Sequence, residues 1–387
     1  FTLPGFNFGL KSAVPQFNRV PEATTAIARR LLFILCSHYF DDFNVTEPKE
    51  TCKDAQLLLG ELHGLLGFPF AQAKHVEAAA LVLFLGVESR LQDAHRGWVE
   101  MCVSDDRIQT CVESIDRMLA RDSPEEMDHL AGKLYFTLDW AASRLGRACL
   151  QPLLHHPERE RLTPAARASL RFLRHMLPTL RPKRIQLRCS TEPPVIVYTD
   201  GCHEGDTMDV GYLVATPRAS AFAKQARDRT VADFDWVHGG GSIPQELRAA
   251  LLERKQQIGQ VEITGGITPY LSLPELLSGR LVVHYIDNTS AVAALCKGYS
   301  NLPDSARLVH AFHAWLTHTG TDVWFEYVPT KANPSDEPSR DPNLWDREFT
   351  PAPGAASDPR PISFPALSHV HDPHAWQMEA ERAVARA

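Results

Sequence analysis

Val195-Ile196-Val197-Tyr198-Thr199-Asp200-Gly201 reads as a strand of β-branched and aromatic residues that delivers a carboxylate at its end. Gly201 then lets the backbone turn away at once. Leu281-Val282-Val283-His284-Tyr285-Ile286-Asp287-Asn288 repeats the arrangement, with a helix predicted over residues 290–295. Two such strands lying side by side bring their carboxylates together at one edge of a sheet. A third aspartate, Asp336, follows the last predicted strand (residues 323–328), at a helix start in Asn333-Pro334-Ser335-Asp336. Acids at strand ends are suited to holding divalent cations beside a phosphodiester.

Working outward, residues 210–216 and 234–238 are further strand candidates, and helices are expected over 245–257 and 305–317. The fold class is therefore α/β (α+β), a mixed sheet with flanking helices over residues 189–345. Trp236, Trp315 and Trp324 are expected in the core. After Asp346 the chain carries six prolines and loses periodicity, so residues 346–387 read as a Pro-rich tail, disordered or wrapped on the surface.

Upstream, the leucine spacing of residues 91–188 suits helices. Between Arg144 and Arg188 there are eleven Lys or Arg against two Glu. Arg167, Arg171 and Arg174 share one helix face, which reads either as a solvated surface or as a stripe tracking a phosphate backbone. His155-His156 has no matching Cys or His pair at ligand spacing and reads as a loop. Residues 1–90 read as mixed α/β: a helix over 21–35 runs into a strand, then Tyr39-Phe40-Asp41-Asp42, then a returning strand. A helix over 52–64 and a strand over 81–87 follow. Adjacent aspartates on a hairpin turn repel unless a cation shares them.

At 387 residues, 44% hydrophobic and 22% charged, the chain is long enough for two or three domains with real cores. A net charge of −7 confines any basic surface to a local patch. Eight cysteines without a CxxC pair argue against a zinc ribbon or a disulfide framework, and for a reducing, intracellular setting in cytoplasm or nucleus. No apolar run reaches membrane-spanning length and no signal peptide is visible. Beginning at Phe1 rather than methionine, the chain reads as a segment of something longer.

Two sets of residues, in order, carry a resemblance to a known family. Phe8-Gly9-Leu10-Lys11-Ser12-Ala13-Val14-Pro15, the YFDD turn, Lys74 and Phe84-Leu85-Gly86 resemble the palm of a reverse transcriptase. Asp200, Asp287-Asn288 and Asn333-Pro334-Ser335-Asp336 with Ser339-Arg340 resemble the ribonuclease H domain that follows it in retroelement (retrotransposon) Pol polyproteins. The resemblance implies a partial palm over 1–90, a helical thumb and connection over 91–188, and a ribonuclease H-like domain over 189–345. It implies Gly9 under template and incoming nucleotide, and Tyr39, Asp41 and Asp42 as the catalytic turn. Lys74 would lie near the triphosphate, Gly86 in the primer grip, and Arg167, Arg171 and Arg174 against the duplex. The family's four ribonuclease H carboxylates map to Asp200, Glu262, Asp287 and Asp336, holding two Mg²⁺ or Mn²⁺ ions. Asn288, Asn333 and Arg340 would sit at the nucleic acid.

The implied reaction is metal-dependent endonucleolytic hydrolysis of the RNA strand in RNA–DNA hybrids. Three departures accompany it. The first palm aspartate and the fingers precede Phe1, so the polymerase module is incomplete, although template–primer remains a partner of the fold. The histidine that many members carry before the last aspartate is absent, leaving Lys331 nearby. The residues after Glu262, Ile263-Thr264-Gly265-Gly266-Ile267-Thr268-Pro269, are poor helix formers, while Glu246 and Glu253 lie on better helical sequence; spacing favours Glu262. An inactive remnant that binds nucleic acid, and a ribonuclease H-like nuclease of structured DNA, stay open as alternatives. Oligomeric state is not legible.

Overall fold

The computed structural model describes residues 11–141, 144–155, 161–180, 182–187 and 192–365. The chain divides into two compact units, residues 1–99 and 100–387.

In the first unit, helix α1 (Ala13–Leu31) begins earlier than its sequence suggests and carries Pro21 inside it. Strands β1 (Cys36–Tyr39) and β2 (Asp42–Val45) pair antiparallel, with Tyr39 opposite Asp42. Phe40 enters the tight turn between them with a left-handed φ of 54°. Helix α2 (Cys52–Leu65) adds Ala55 and Leu59 to a small core with Ala28, Ile34 and Cys36. The expected single strand over 81–87 is a hairpin of β3 (Leu81–Phe84) and β4 (Val87–Arg90). Leu85 and Gly86 form its turn, both at positive φ, the geometry that matches strand twist in a two-residue loop.

Strand β5 (Trp98–Val103) spans the boundary between the units. Four helices follow: α3 (Asp105–Arg121), α4 (Met127–Ala141), α5 (Arg147–Leu154) and α6 (Pro164–Met176). Ser104 and Thr163 cap α3 and α6, their hydroxyls accepting from the Arg107 and Ala166 amides. Ile115, Leu134, Leu138, Leu150, Leu153, Leu170 and Leu173 fill the core among them. Strand β6 (Lys183–Gln186) ends this segment.

The sheet that positions the site begins with a meander of β7 (Val195–Glu204), β8 (Thr207–Pro217) and β9 (Phe234–Ser242), antiparallel throughout. Short α7 (Ala219–Phe222) and α8 (Gln245–Ala250) flank β9. Then come α9 (Ile258–Ser272), α10 (Pro274–Leu277), β10 (Leu281–Ile286), α11 (Thr289–Lys297), α12 (Pro303–Thr319) and β11 (Asp322–Tyr327). Strand β10 lies parallel to β7, and β11 parallel to β10. Short α13 (Asp336–Arg340) and β12 (Ser357–Pro359) complete the unit. The strand order is β11-β10-β7-β8-β9-β12. This is the mixed α/β class expected from the sequence.

Three expectations are corrected, and part of the C-terminal segment is placed. The helix expected over 245–257 stops at Ala250, and a new one starts at Ile258. Strand β7 does not end at Asp200 but runs on to Glu204. Trp315 is buried, whereas Trp324 is 65% exposed on β11 and Trp236 is half-buried. Within the Pro-rich segment, β12 pairs parallel with β9. Two contacts of His238 hold it there: one ring nitrogen lies 2.8 Å from the Leu344 carbonyl and the other 2.9 Å from Ser357 Oγ. Residues 366–387 lie outside the described residues.

Candidate metal centre

Asp200 is the sixth residue of β7 and lies opposite Gly211 of β8. Parallel pairing sets Ile286 beside Thr199, so Asp287, the next residue, emerges next to Asp200. Glu262 comes from the first half of α9. Carboxylate oxygens of Asp200, Glu262 and Asp287 all lie within 4.8 Å of one another, and this is the one such acidic or His/Cys group among the described residues. The close approach of α9 to β7 explains Gly201. A Cβ there would stand 2.9 Å from the Glu262 amide nitrogen and 3.0 Å from the Val261 carbonyl carbon. The glycine makes room for a helix rather than a turn.

Low intrinsic propensity does not prevent α9 from forming, because every residue from Gln260 to Tyr270 is buried. Packing between sheet and helices overrides the Thr, Gly and Pro content. Of the alternatives, Glu246 lies on α8 and Glu253 lies between α8 and α9; neither belongs to the cluster.

The electrostatics of the three acids are unfavourable without a cation. Burial, with the charges of Asp287 and Asp336, pushes Asp200 up to about 7, against a lowering hydrogen bond from Ser339. Burial and the charges of Asp200 and Asp287 push Glu262 up to about 9. The Gly201 amide and the Asn288 side chain act against that rise, and Glu262 Oε2 is buried without a partner. Asp287 Oδ1 is likewise buried and unpartnered. Buried acceptors are normally satisfied, so orphan oxygens from neighbouring acids mark a place where something positive fits. The all-oxygen donor set suits a hard cation such as Mg²⁺ or Mn²⁺.

Asp336 stands apart from this cluster. Its Oδ1 accepts from Arg340 Nε at 2.9 Å, and Arg340 Nη1 donates to Glu204 Oε1 at 3.0 Å. Three of the four expected carboxylates thus lie within 4.8 Å of one another, with Asp336 near enough for its charge to act on Asp200. Beside it, Ser339, fully buried, donates from Oγ to Asp200 Oδ2. Gly211 makes that approach possible: a Cβ there would lie 2.3 Å from the Ser339 amide nitrogen.

Two residues expected at the nucleic acid have internal partners. Asn333 is buried, its Nδ2 donating to the Thr199 carbonyl at 3.0 Å and its Oδ1 accepting from the Ser335 hydroxyl at 2.6 Å. Asn288 caps α11, its Oδ1 accepting from the Ser290 and Ala291 amides. Ser339 was not singled out as a site residue from the sequence; the i, i+3 spacing from Asp336 on a short helix is the one local signal it carries.

Tyr39, Asp41 and Asp42 are exposed around the β1–β2 turn, and no third acid joins them among the described residues. Lys74 is exposed at the end of a short 3-10 turn, Gly86 is in the β3–β4 turn, and Gly9 lies outside the described residues. The arginine stripe is partly engaged: Arg167 pairs with Asp122, and Arg174 with Asp116. Arg171 is exposed, without an ion pair among the described residues.

No protein-family model and no curated protein matches the chain. Among solved structures, it is similar to a foamy viral protease-reverse transcriptase in complex with an RNA/DNA hybrid, at 14% identity and a TM-score of 0.37, over 85% of this chain and 40% of the viral one. It is also similar to the foamy viral protease-reverse transcriptase dRH in complex with double-stranded DNA, at 13% identity and a TM-score of 0.33, over 80% and 48%. The chain spans less than half the length of either viral chain.

Proposed function

We propose that the chain is a reverse transcriptase/ribonuclease H segment of retroelement type, whose residues 189–345 cleave the RNA strand of RNA–DNA hybrids. The observation that carries this reading is the meeting of Asp200, Glu262 and Asp287 where β10 ends beside β7, with orphan oxygens on two of them. Residues 1–90, with the YFDD turn, are the incomplete palm in this reading, and 91–188 the thumb and connection.

Asp200, Glu262 and Asp287 would hold two Mg²⁺ or Mn²⁺ ions, with Asp336 at hand on α13. When bound, such ions supply an activated water and stabilise charge on the leaving 3′ oxygen. The protein's part is to fix the carboxylates before substrate arrives. Strand β7 and helix α9 do so through the close contact at Gly201. Arg340 balances Asp336 and Glu204 at the exposed side of the site. An A-form hybrid would be read through its backbone and 2′-hydroxyls rather than its sequence.

The test is Mg²⁺-dependent cleavage of a labelled RNA–DNA hybrid by the chain and by Asp287→Asn, with duplex DNA alongside. Cleavage of hybrid by the parent and loss in the variant is expected. Preference for duplex DNA would move the assignment to a DNA nuclease. Equal binding of hybrid by both, with no cleavage by either, would overturn the enzyme reading.

A further inference from the structure

Asp200 has a feature that the clustering of acids alone does not require: Ser339 holds one of its oxygens, the hydroxyl donating to Oδ2. A carboxylate pinned at one oxygen presents the other in a fixed direction, which is what an outer hydrogen bond does for a ligating acid.

The Ser339 contact is built by the fold. The residue is fully buried, and its hydroxyl lies 2.9 Å from the Asp336 carbonyl, one turn back, as well as against Asp200. A hydroxyl has one proton, and an ionised carboxylate is the stronger acceptor. The backbone of α13 sits in the space left by Gly211, directly across from Asp200. Trp345 Nε1 donates to the Pro338 carbonyl at 2.9 Å, and both lie against Gly240 of the neighbouring β9. Residues 338–339 are thereby held on the β8–β9 surface.

We infer that Ser339 is a positioning residue of the metal centre: its hydroxyl fixes Oδ2 of Asp200 and leaves the other oxygen for the cation. The inference rests on the ribonuclease H reading of the same site. It gives α13 two distinct duties, Ser339 acting on Asp200 and Arg340 on Asp336.

The experiment titrates Mn²⁺ into the full chain by calorimetry, for the parent, Ser339→Ala and Ser339→Cys, with thermal unfolding of each in the absence of metal. Ser339→Ala removes the donor and little volume; Ser339→Cys keeps the shape with a weak donor. The expected result is a loss of roughly 10-fold or more in Mn²⁺ affinity for Ser339→Ala, the lower end for outer-sphere partners. Ser339→Cys should fall between it and the parent. Hybrid binding without metal should be the same in all three. Parent-like Mn²⁺ affinity in Ser339→Ala, with or without a lower Tm, would overturn the positioning role and leave Ser339 a packing residue. A parent that binds no Mn²⁺ would overturn the metal-site reading itself, and with it the inference.

Discussion

Gly211→Ala tests the packing on which the site depends. The added Cβ would stand 2.3 Å from the Ser339 amide nitrogen, 2.6 Å from the Pro338 carbonyl carbon and 2.8 Å from the Ser339 Cα, all backbone atoms. Ordinary contact begins near 3.4 Å, so α13 must retreat by roughly 1 Å. Overpacking of this kind costs about 1–3 kcal/mol. Pulling Ser339 off Asp200 removes a hydrogen bond to a charged group, worth about 1.5–3 kcal/mol. The two overlap, because the retreat that relieves the clash is what breaks the bond. A combined destabilisation of about 3 kcal/mol corresponds to a Tm lower by roughly 6–12 °C for a unit of this size. Misplacing a reactive group by 1 Å can cost about 100-fold in rate. Gly211→Ala should therefore cut hybrid cleavage by about two orders of magnitude at temperatures where it is still folded. Gly259→Ala is the control: nothing lies within 4 Å of its Cβ position on α9, so Tm should hold or rise. A Gly211→Ala chain with parent Tm and parent cleavage would refute the packing of α13 on β8 described above.

Burial holds His310 neutral in the folded chain, down to about 4, while an unfolded histidine protonates near 6.5. A depressed folded pKa gives stability that is full above pH 6.5 and is lost as pH falls towards 4. The stability gap between the parent and His310→Gln should thus narrow over that window in denaturant titrations, and a gap constant with pH would count against it. Arg171→Ala should weaken hybrid binding and lower the salt slope by about one unit. Arg167→Ala, whose guanidinium sits on Asp122, should leave the slope alone and lower stability by about 1 kcal/mol; equal slopes in both variants would refute the distinction. Primer extension by the purified chain should be undetectable, since Asp41 and Asp42 have no third acid beside them among the described residues; measurable extension would refute the incomplete palm.

The strands carrying Asp200 and Asp287 were legible because β-branched runs ending in an acid are a local pattern, and β10 has its expected bounds, Leu281–Ile286. What escaped local reading was set by neighbours distant in sequence. Gly201 looks like a turn residue until the Glu262 amide is seen 2.9 Å from its missing Cβ. Helix α9 looks unhelical until its burial is known. Asn333 looks like a polar residue free to meet a ligand, and its partner, the Thr199 carbonyl, lies more than a hundred residues away, as does the Asp200 partner of Ser339. Trp324 was misjudged because burial on a strand depends on which face is covered, and that face of β11 is open. Strand β12 is three residues long and holds a proline, too short to show a period.

That short strand has a practical bearing. β9 is nine residues long and carries Gly239-Gly240-Gly241, and β12 pairs with its outer side over residues 236–238. A chain cut after Trp345 would strip this cover and leave a row of unpaired amides and carbonyls, a ready template for another molecule's strand. Such a truncation retains every acid of the metal centre, yet it invites edge-to-edge self-association. The last prolines before residue 366 thus bear on whether the protein stays monodisperse as much as on what it binds.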